Sequence, residues 1–203
     1  MTGGRVRIFI DFWNLSLGAR DLWGPDYRLS YRRLPTILAD QASTILRLQT
    51  TYEGTYLYAG VDLSSEQDKK LNKFLRNTVG HFPGYQVRIF NRKPKHPPKC
   101  PACHELITIC PHCNIPVKGT VEKGVDVSIA TDMFQLAVDD TYDVGIIISN
   151  DADFVPAVKF LDKRSKKIVH AGFGHQGEEL AGACWAHISL DQLRAELDNS
   201  NAP

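Results

Sequence analysis

Short apolar runs alternate with helical spacings along the chain. Residues 5–12 have the pattern of a strand. Residues 31–48 set Leu34, Ile37, Leu38, Ile45 and Leu48 at helical intervals. A strand follows over 54–61, rich in tyrosine and β-branched residues. Next comes a helix over 64–79, which opens with Ser64 and Glu66 and carries Leu71, Phe74, Leu75 and Val79 on one face. Residues 85–90 form a third strand, and 125–138 a helix with Ile129, Ala130, Met133, Phe134 and Ala137 turned inward. The run Val-Gly-Ile-Ile-Ile within 143–149 is apolar throughout, as suits a parallel strand buried on both faces. A helix over 154–163, a strand over 167–173, a short helix over 178–185 and a terminal helix over 191–197 complete the pattern. Such alternation predicts an α/β fold with a central parallel sheet flanked by helices. Sites in such sheets form beyond the carboxyl ends of the strands, so the polar residues that directly follow strands are the ones to weigh.

The chain has 203 residues, 43% of them hydrophobic, enough for one domain over 1–203 with a substantial core and a small appendage. Its formal net charge of +1 excludes no partner, so the distribution of charge matters more than its sum. No apolar run approaches the roughly 20 residues needed to span a bilayer. Met1 to Gly4 show no signal-peptide pattern. A cytoplasmic protein without a membrane partner is the expectation, and with it reduced cysteines.

Aspartates cluster where that fold would place a site. Asp11 follows the first strand, in Ile10-Asp11-Phe12-Trp13-Asn14, and Asp151 and Asp153 follow the fourth, in Ser149-Asn150-Asp151-Ala152-Asp153-Phe154. Asp126 opens a helix, in Glu122-Lys123-Gly124-Val125-Asp126-Val127. Taken singly, Asp11 caps a turn, Asp126 complements a helix dipole, and Asp151 or Asp153 is an N-cap. Gathered, they repel one another unless a cation or protons intervene. Hard oxygen ligands suit Mg²⁺ or Mn²⁺, which can polarise a phosphodiester and activate water.

Three segments resemble the motifs of NYN domains, and together those of the LabA-like branch. They are Ile8-Phe9-Ile10-Asp11-Phe12-Trp13-Asn14-Leu15; Lys123-Gly124-Val125-Asp126-Val127 with Asp132 and Tyr142-Asp143-Val144 after it; and Ser149-Asn150-Asp151-Ala152-Asp153-Phe154-Val155-Pro156. The resemblance runs from residue 5 to about 175. It implies a PIN-like Rossmannoid fold and metal-dependent RNA cleavage, although some members are known as regulators without a defined substrate. Carried over, it makes Asp11, Asp126, Asp151 and Asp153 metal ligands or water activators. Asn14 becomes a residue that positions a ligand carboxylate or the scissile phosphate. Asp132 matches too, but six positions after Asp126 it lies on another helix face and has a supporting or structural role.

Of five cysteines, four form Cys100-Pro-Ala-Cys103 and Cys110-Pro-His-Cys113. Two CxxC pairs can present four thiolates tetrahedrally to a structural Zn²⁺, with His104 or His112 as a substitute ligand. A zinc knuckle inserted over 94–120 follows, with a very short hairpin over 105–109 between the pairs. Cys184 has the setting of a buried small residue rather than a nucleophile.

From Lys69 through His104 there is no acidic residue, while Lys69, Lys70, Lys73, Arg76, Arg88, Arg92, Lys93, Lys95 and Lys99 fall in that window. A polyanion binds such a surface by counterion release. Arg92, Lys93, Lys95, Lys99 and, beside Asp126, Lys123 are the candidate RNA contacts, with DNA as the other polymer they would accept. Tyr27, Arg28, Tyr31, Arg32 and Arg33 form a weaker second group. A metal-dependent ribonuclease is the leading expectation, as a monomer or a homo-oligomer. The alternative is a nucleic-acid-binding regulator with a weak or vestigial site. A phosphatase ranks last, because a phosphoaspartate mechanism wants Asp-x-Asp where this chain has Asp11-Phe12-Trp13.

Overall fold

The computed structural model describes residues 3–174 and 176–199. The chain opens with β1 (Gly4–Asp11), buried along its last four residues, and passes directly into α1 (Phe12–Trp23). The hydrophobic pattern did not announce that helix. Its buried positions, Phe12, Leu15, Gly18, Ala19 and Trp23, include two small residues, which blunts the apolar signal. After α1 come α2 (Leu34–Leu46), β2 (Thr50–Val61) and α3 (Glu66–Asn77). Ser65 caps α3 by accepting from the backbone N–H of Asp68.

β3 (Tyr85–Asn91) leads to two short strands, β4 (Lys93–Pro94) and β5 (Thr120–Val121), which pair antiparallel and close the stem of the inserted segment. Then follow α4 (Val125–Val138), β6 (Val144–Ile148), α5 (Val155–Asp162), β7 (Lys167–Gly172) and α6 (Glu178–Ala183). The helix expected over 178–185 ends early, and β8 (Ala186–Ser189) takes its place at the sheet edge. Four residues containing His187 and Ser189 are too few and too polar to reveal a period. A 3-10 turn, Leu190–Leu193, and α7 (Arg194–Leu197) stand where a single terminal helix was expected.

The six long-range strands form one sheet in the order β3-β2-β1-β6-β7-β8, parallel throughout. Alternate residues serve opposite faces. Val6, Ile8 and Ile10 of β1, with Ile146 and Ile148 of β6, pack against α1, α2 and α3. Phe9 and Ile147 turn the other way, toward α4, α5 and α6. Each fully buried isoleucine here contributes about 2 kcal/mol of hydrophobic stabilisation. The winding reverses between β1 and β6, and the loops leaving their carboxyl ends diverge around a crevice. Among the described residues, no helix is long and apolar enough to cross a membrane.

The insert is built from two loops of like construction. In the first, Cys100 N–H donates to Glu105 O and His104 N–H to Cys100 O; in the second, Cys110 N–H donates to Ile115 O and Asn114 N–H to Cys110 O. His104 and Asn114 both take positive φ, at 62° and 54°. Each loop closes on itself through a bridge, Lys99 with Leu106 and Ile109 with Pro116. The hairpin expected over 105–109 therefore does not form, and residues 107–108 connect two separate turns.

Candidate active site

Asp11 is the last residue of β1 and the N-cap of α1, and it is almost wholly buried. Its Oδ1 accepts from the backbone N–H groups of Trp13 at 3.1 Å and Asn14 at 3.2 Å. Its Oδ2 accepts from Asn14 Nδ2 at 2.6 Å. The other end of that amide, Asn14 Oδ1, accepts from the backbone N–H of Asn150 at 3.0 Å. Asn14 therefore ties the end of β1 to the loop that follows β6, across the reversal of the sheet.

That loop carries the second group of acids. Asp151 Oδ1 accepts from the backbone N–H of Asp153 at 2.9 Å and so caps the 3-10 turn Ala152–Phe154, while Asp151 N–H donates to Ser149 Oγ. Phe154 is buried and anchors the turn; Asp153 stays exposed. Asp126 lies in the first turn of α4, after Gly124, whose φ of 89° lets the chain turn sharply out of β5.

These four carboxylates share one electrostatic field. Burial raises the Asp11 pKa above the ordinary carboxylate value; the Asn14 and Trp13 hydrogen bonds oppose that rise and the Asp151 charge adds to it. Burial also raises Asp126, helped by the charges of Asp11, Asp151 and Asp153. A fifth acid, not singled out in the sequence, belongs with them. Glu122 follows β5 at the root of the insert. Its pKa is raised by burial and then by Asp11, with Arg92 opposing. Its Oε2 is buried with no hydrogen-bond partner, and a Cβ on Gly60 would lie 1.9 Å from that atom, so a side chain at residue 60 would push the Glu122 carboxylate out of this place. The signal for Glu122 was its place four residues before Asp126, but only the β4–β5 pairing swings it toward β2.

The donor set is oxygen only and includes an acceptor, Glu122 Oε2, with no hydrogen-bond partner, which in kind fits a hard divalent cation. Among the described residues, no three His, Cys, Asp or Glu side chains close on a single point, either here or in the insert. The insert's thiols are free, two to each loop. Cys100 and Cys110 are lowered below the ordinary thiol value, first by the backbone N–H groups of Cys103 and Cys113 respectively. Thiolate-favouring loops of this kind match zinc in donor chemistry. Cys184 is partly buried against the α4–α5–α6 face, and burial pushes its thiol up to about 12, which removes it as a nucleophile.

Arg92 lies at the start of the stem, its guanidinium 6.0 Å from the Trp13 ring centroid and its Nε buried without a partner. Lys93, Lys95, Lys99 and Lys123 are exposed. Lys95 and Lys118 border a cavity of about 330 Å³ within the insert. Not all of the basic stretch is free: Lys69 pairs with Glu66, and Arg88 is 3.0 Å from Asp132. Asp132 is buried and also accepts from the Tyr58 hydroxyl at 2.6 Å, which makes it a structural acid away from the cluster. Behind the Asn150 loop, buried His170 contacts Ser149 O through Nε2 at 2.8 Å and His187 Nδ1 through its own Nδ1 at 2.9 Å. Sequence reasoning had no sign of this pair.

A family model described as the NYN domain matches residues 5–191. The crystal structure of a protein of unknown function from Vibrio parahaemolyticus superposes with a TM-score of 0.59 at 17% identity, covering 93% of each chain, a likeness in fold. No curated protein matches the chain significantly.

Proposed function

The chain belongs to the NYN domain family, whose members are generally nucleases, and we propose that it is a metal-dependent ribonuclease that hydrolyses RNA phosphodiester bonds in the cytoplasm. The observation that carries this reading is the meeting of two acid-bearing strand ends, where Asn14 bonds Asp11 Oδ2 and holds the backbone beside Asp151; burial, and then the neighbouring charges, raises Asp11 and Asp126 there. A protein assembles repelling carboxylates at a strand-end crevice when a cation is to balance them.

Asp11, Asp126, Asp151 and Asp153 would hold Mg²⁺ or Mn²⁺, with Glu122 beside them. Such an ion, when bound, supplies a Lewis acid for the phosphate and lowers the pKa of water. Asn14 fixes the Asp11 carboxylate by one hydrogen bond and the Asn150 backbone by another. The carboxylates that do not face the cation can take the proton of an attacking water as the phosphorus–oxygen bond breaks. Arg92, Lys93, Lys95, Lys99 and Lys123 would receive the phosphate backbone, and a structural Zn²⁺ on Cys100, Cys103, Cys110 and Cys113 would hold together the two loops that project beyond them.

The test is incubation of labelled RNA and DNA panels with Mn²⁺, Mg²⁺ or EDTA, beside Asp151→Asn. Divalent-dependent cleavage of RNA that disappears in EDTA and in the variant is expected. RNA binding without cleavage under every metal condition would favour the regulatory reading. Neutralising Arg92, Lys93, Lys95 and Lys99 together should weaken binding and flatten its salt dependence while turnover at saturating RNA persists.

A further inference from the structure

We propose that the cavity between α1 and α3 is a subsite for an unstacked base and its phosphate in single-stranded RNA, outside the bond that is cut; this rests on the ribonuclease reading. The cavity holds about 340 Å³ and is lined by Arg20 of α1, Tyr27, Arg28 and Tyr31 of the following loop, and Phe74 of α3. Phe74 is 41% exposed although it is a large apolar ring, and Arg20 and Arg28 are exposed as well. Neither arginine forms an ion pair among the described residues.

An exposed phenylalanine alone is ordinary. One placed over a cavity with two exposed guanidinium groups matches the recipe for single-strand recognition, in which rings stack on bases and cations meet the backbone. The position relative to the acidic cluster adds the direction. Phe12 directly follows Asp11, and its ring lies 6.5 Å from Tyr31 in a stacked arrangement; Tyr31 in turn meets the Phe74 edge at 5.9 Å. Packing through the buried Phe12 ring thus fixes the place of the cavity lining relative to the acids. Along α1, Arg20 lies nine residues past Asp11, or roughly 14 Å at 1.5 Å per residue. A strand with its reacting phosphate at the acids would reach Arg20 a few nucleotides further on. Paired bases in a duplex are stacked on one another and offer no free face to Phe74, so the subsite selects single strands. It would also hold the polyanion away from the carboxylates that repel it.

The experiment measures binding of a fluorescent oligouridylate of about twelve nucleotides in EDTA, where no turnover occurs. Phe74→Ala should weaken binding about tenfold and Phe74→Trp should retain it. Arg28→Ala, on an exposed side chain, should lower the slope of log K against log salt by about one. Duplex RNA binding should not respond to any of the three. With Mn²⁺ present, the KM for cleavage of the twelve-nucleotide strand should rise about tenfold in Phe74→Ala. If both variants bind the oligouridylate as wild type does, the subsite is wrong even where cleavage is observed. If Phe74→Ala loses binding while wild type cleaves nothing under any metal, the subsite stands and the nuclease reading falls.

Discussion

Asn14 donates from Nδ2 to Oδ2 of Asp11 at 2.6 Å, while its Oδ1 holds the backbone N–H of Asn150. One side-chain amide therefore sets the orientation of an acid on β1 and the position of the loop that bears Asp151. Replacing Asn14 with alanine frees the Asn150 backbone and Oδ2 of Asp11, whose Oδ1 keeps its two backbone donors. Partners that orient metal ligands are typically worth 10–100-fold in metal affinity or activity, and about that loss is expected in Mn²⁺-dependent cleavage. Asn14→Asp should be worse than Asn14→Ala, because it adds a charge where Asp11 already lacks compensation. A full-activity Asn14→Ala would remove this residue from the site.

The acids themselves should destabilise the metal-free fold. Asp11, Asp126 and Glu122 have pKa values raised above the ordinary range, each mainly by burial. A carboxyl with a higher pKa folded than unfolded takes up a proton on folding between the two values. The contribution of these three acids to stability in EDTA therefore rises as pH falls through the raised values, and the gain is complete below about 4. Asp126→Asn should raise the metal-free unfolding temperature at neutral pH and lose part of that pH dependence. Adding Mg²⁺ should stabilise wild type more than the variant in the same thermal scans.

Asp143 behaves in the opposite sense. Its carboxylate accepts from Arg5 Nε at 3.0 Å and Nη2 at 2.8 Å, and those bonds hold its pKa down at about 2. A depressed carboxyl contributes stability that is fully present above its unfolded value near 4 and is lost as pH falls toward 2. Acid titration of Asp143→Asn should lack this loss, and its midpoint at neutral pH should lie below that of wild type.

His170 and His187 make a third pH signature. Burial lowers both below the ordinary histidine value. The unfolded chain then binds protons first, so stability falls as pH drops below about 6.5 and levels off under the folded values. Because His170 Nε2 meets Ser149 O, His170→Ala should also lower cleavage, by releasing the loop that carries Asp151. Cleavage unchanged between pH 5 and 7 in that variant relative to wild type would separate the pair from the site.

Metal analysis of the purified protein should return about one Zn per chain on the two CxxC loops. Its removal by chelation should increase hydrogen exchange across 94–120 and leave exchange in β1 and β6 unchanged. Cys103→Ser should do the same without chelator. A metal-free preparation with full protection of that segment would contradict the assignment.

Period and composition were enough to specify the layered α/β class, the buried β6 run and the strand-end places of Asp11 and Asp151. Each depends on local spacing, which the sequence carries directly. The companionship of residues was not local. α1 went unseen because Gly18 lies flush against Phe173, a contact that needs a small residue and so weakens the apolar stripe that would have announced the helix. Glu122 joined the acids only because a two-residue pairing with β4 turned the insert's root toward Gly60. The His170–His187 contact depends on β8 lying beside β7, and four residues of edge strand have no period to read. Spacing determined which side chains stand at the ends of elements; strand order, set by long-range packing of both sheet faces, decided which of those ends meet.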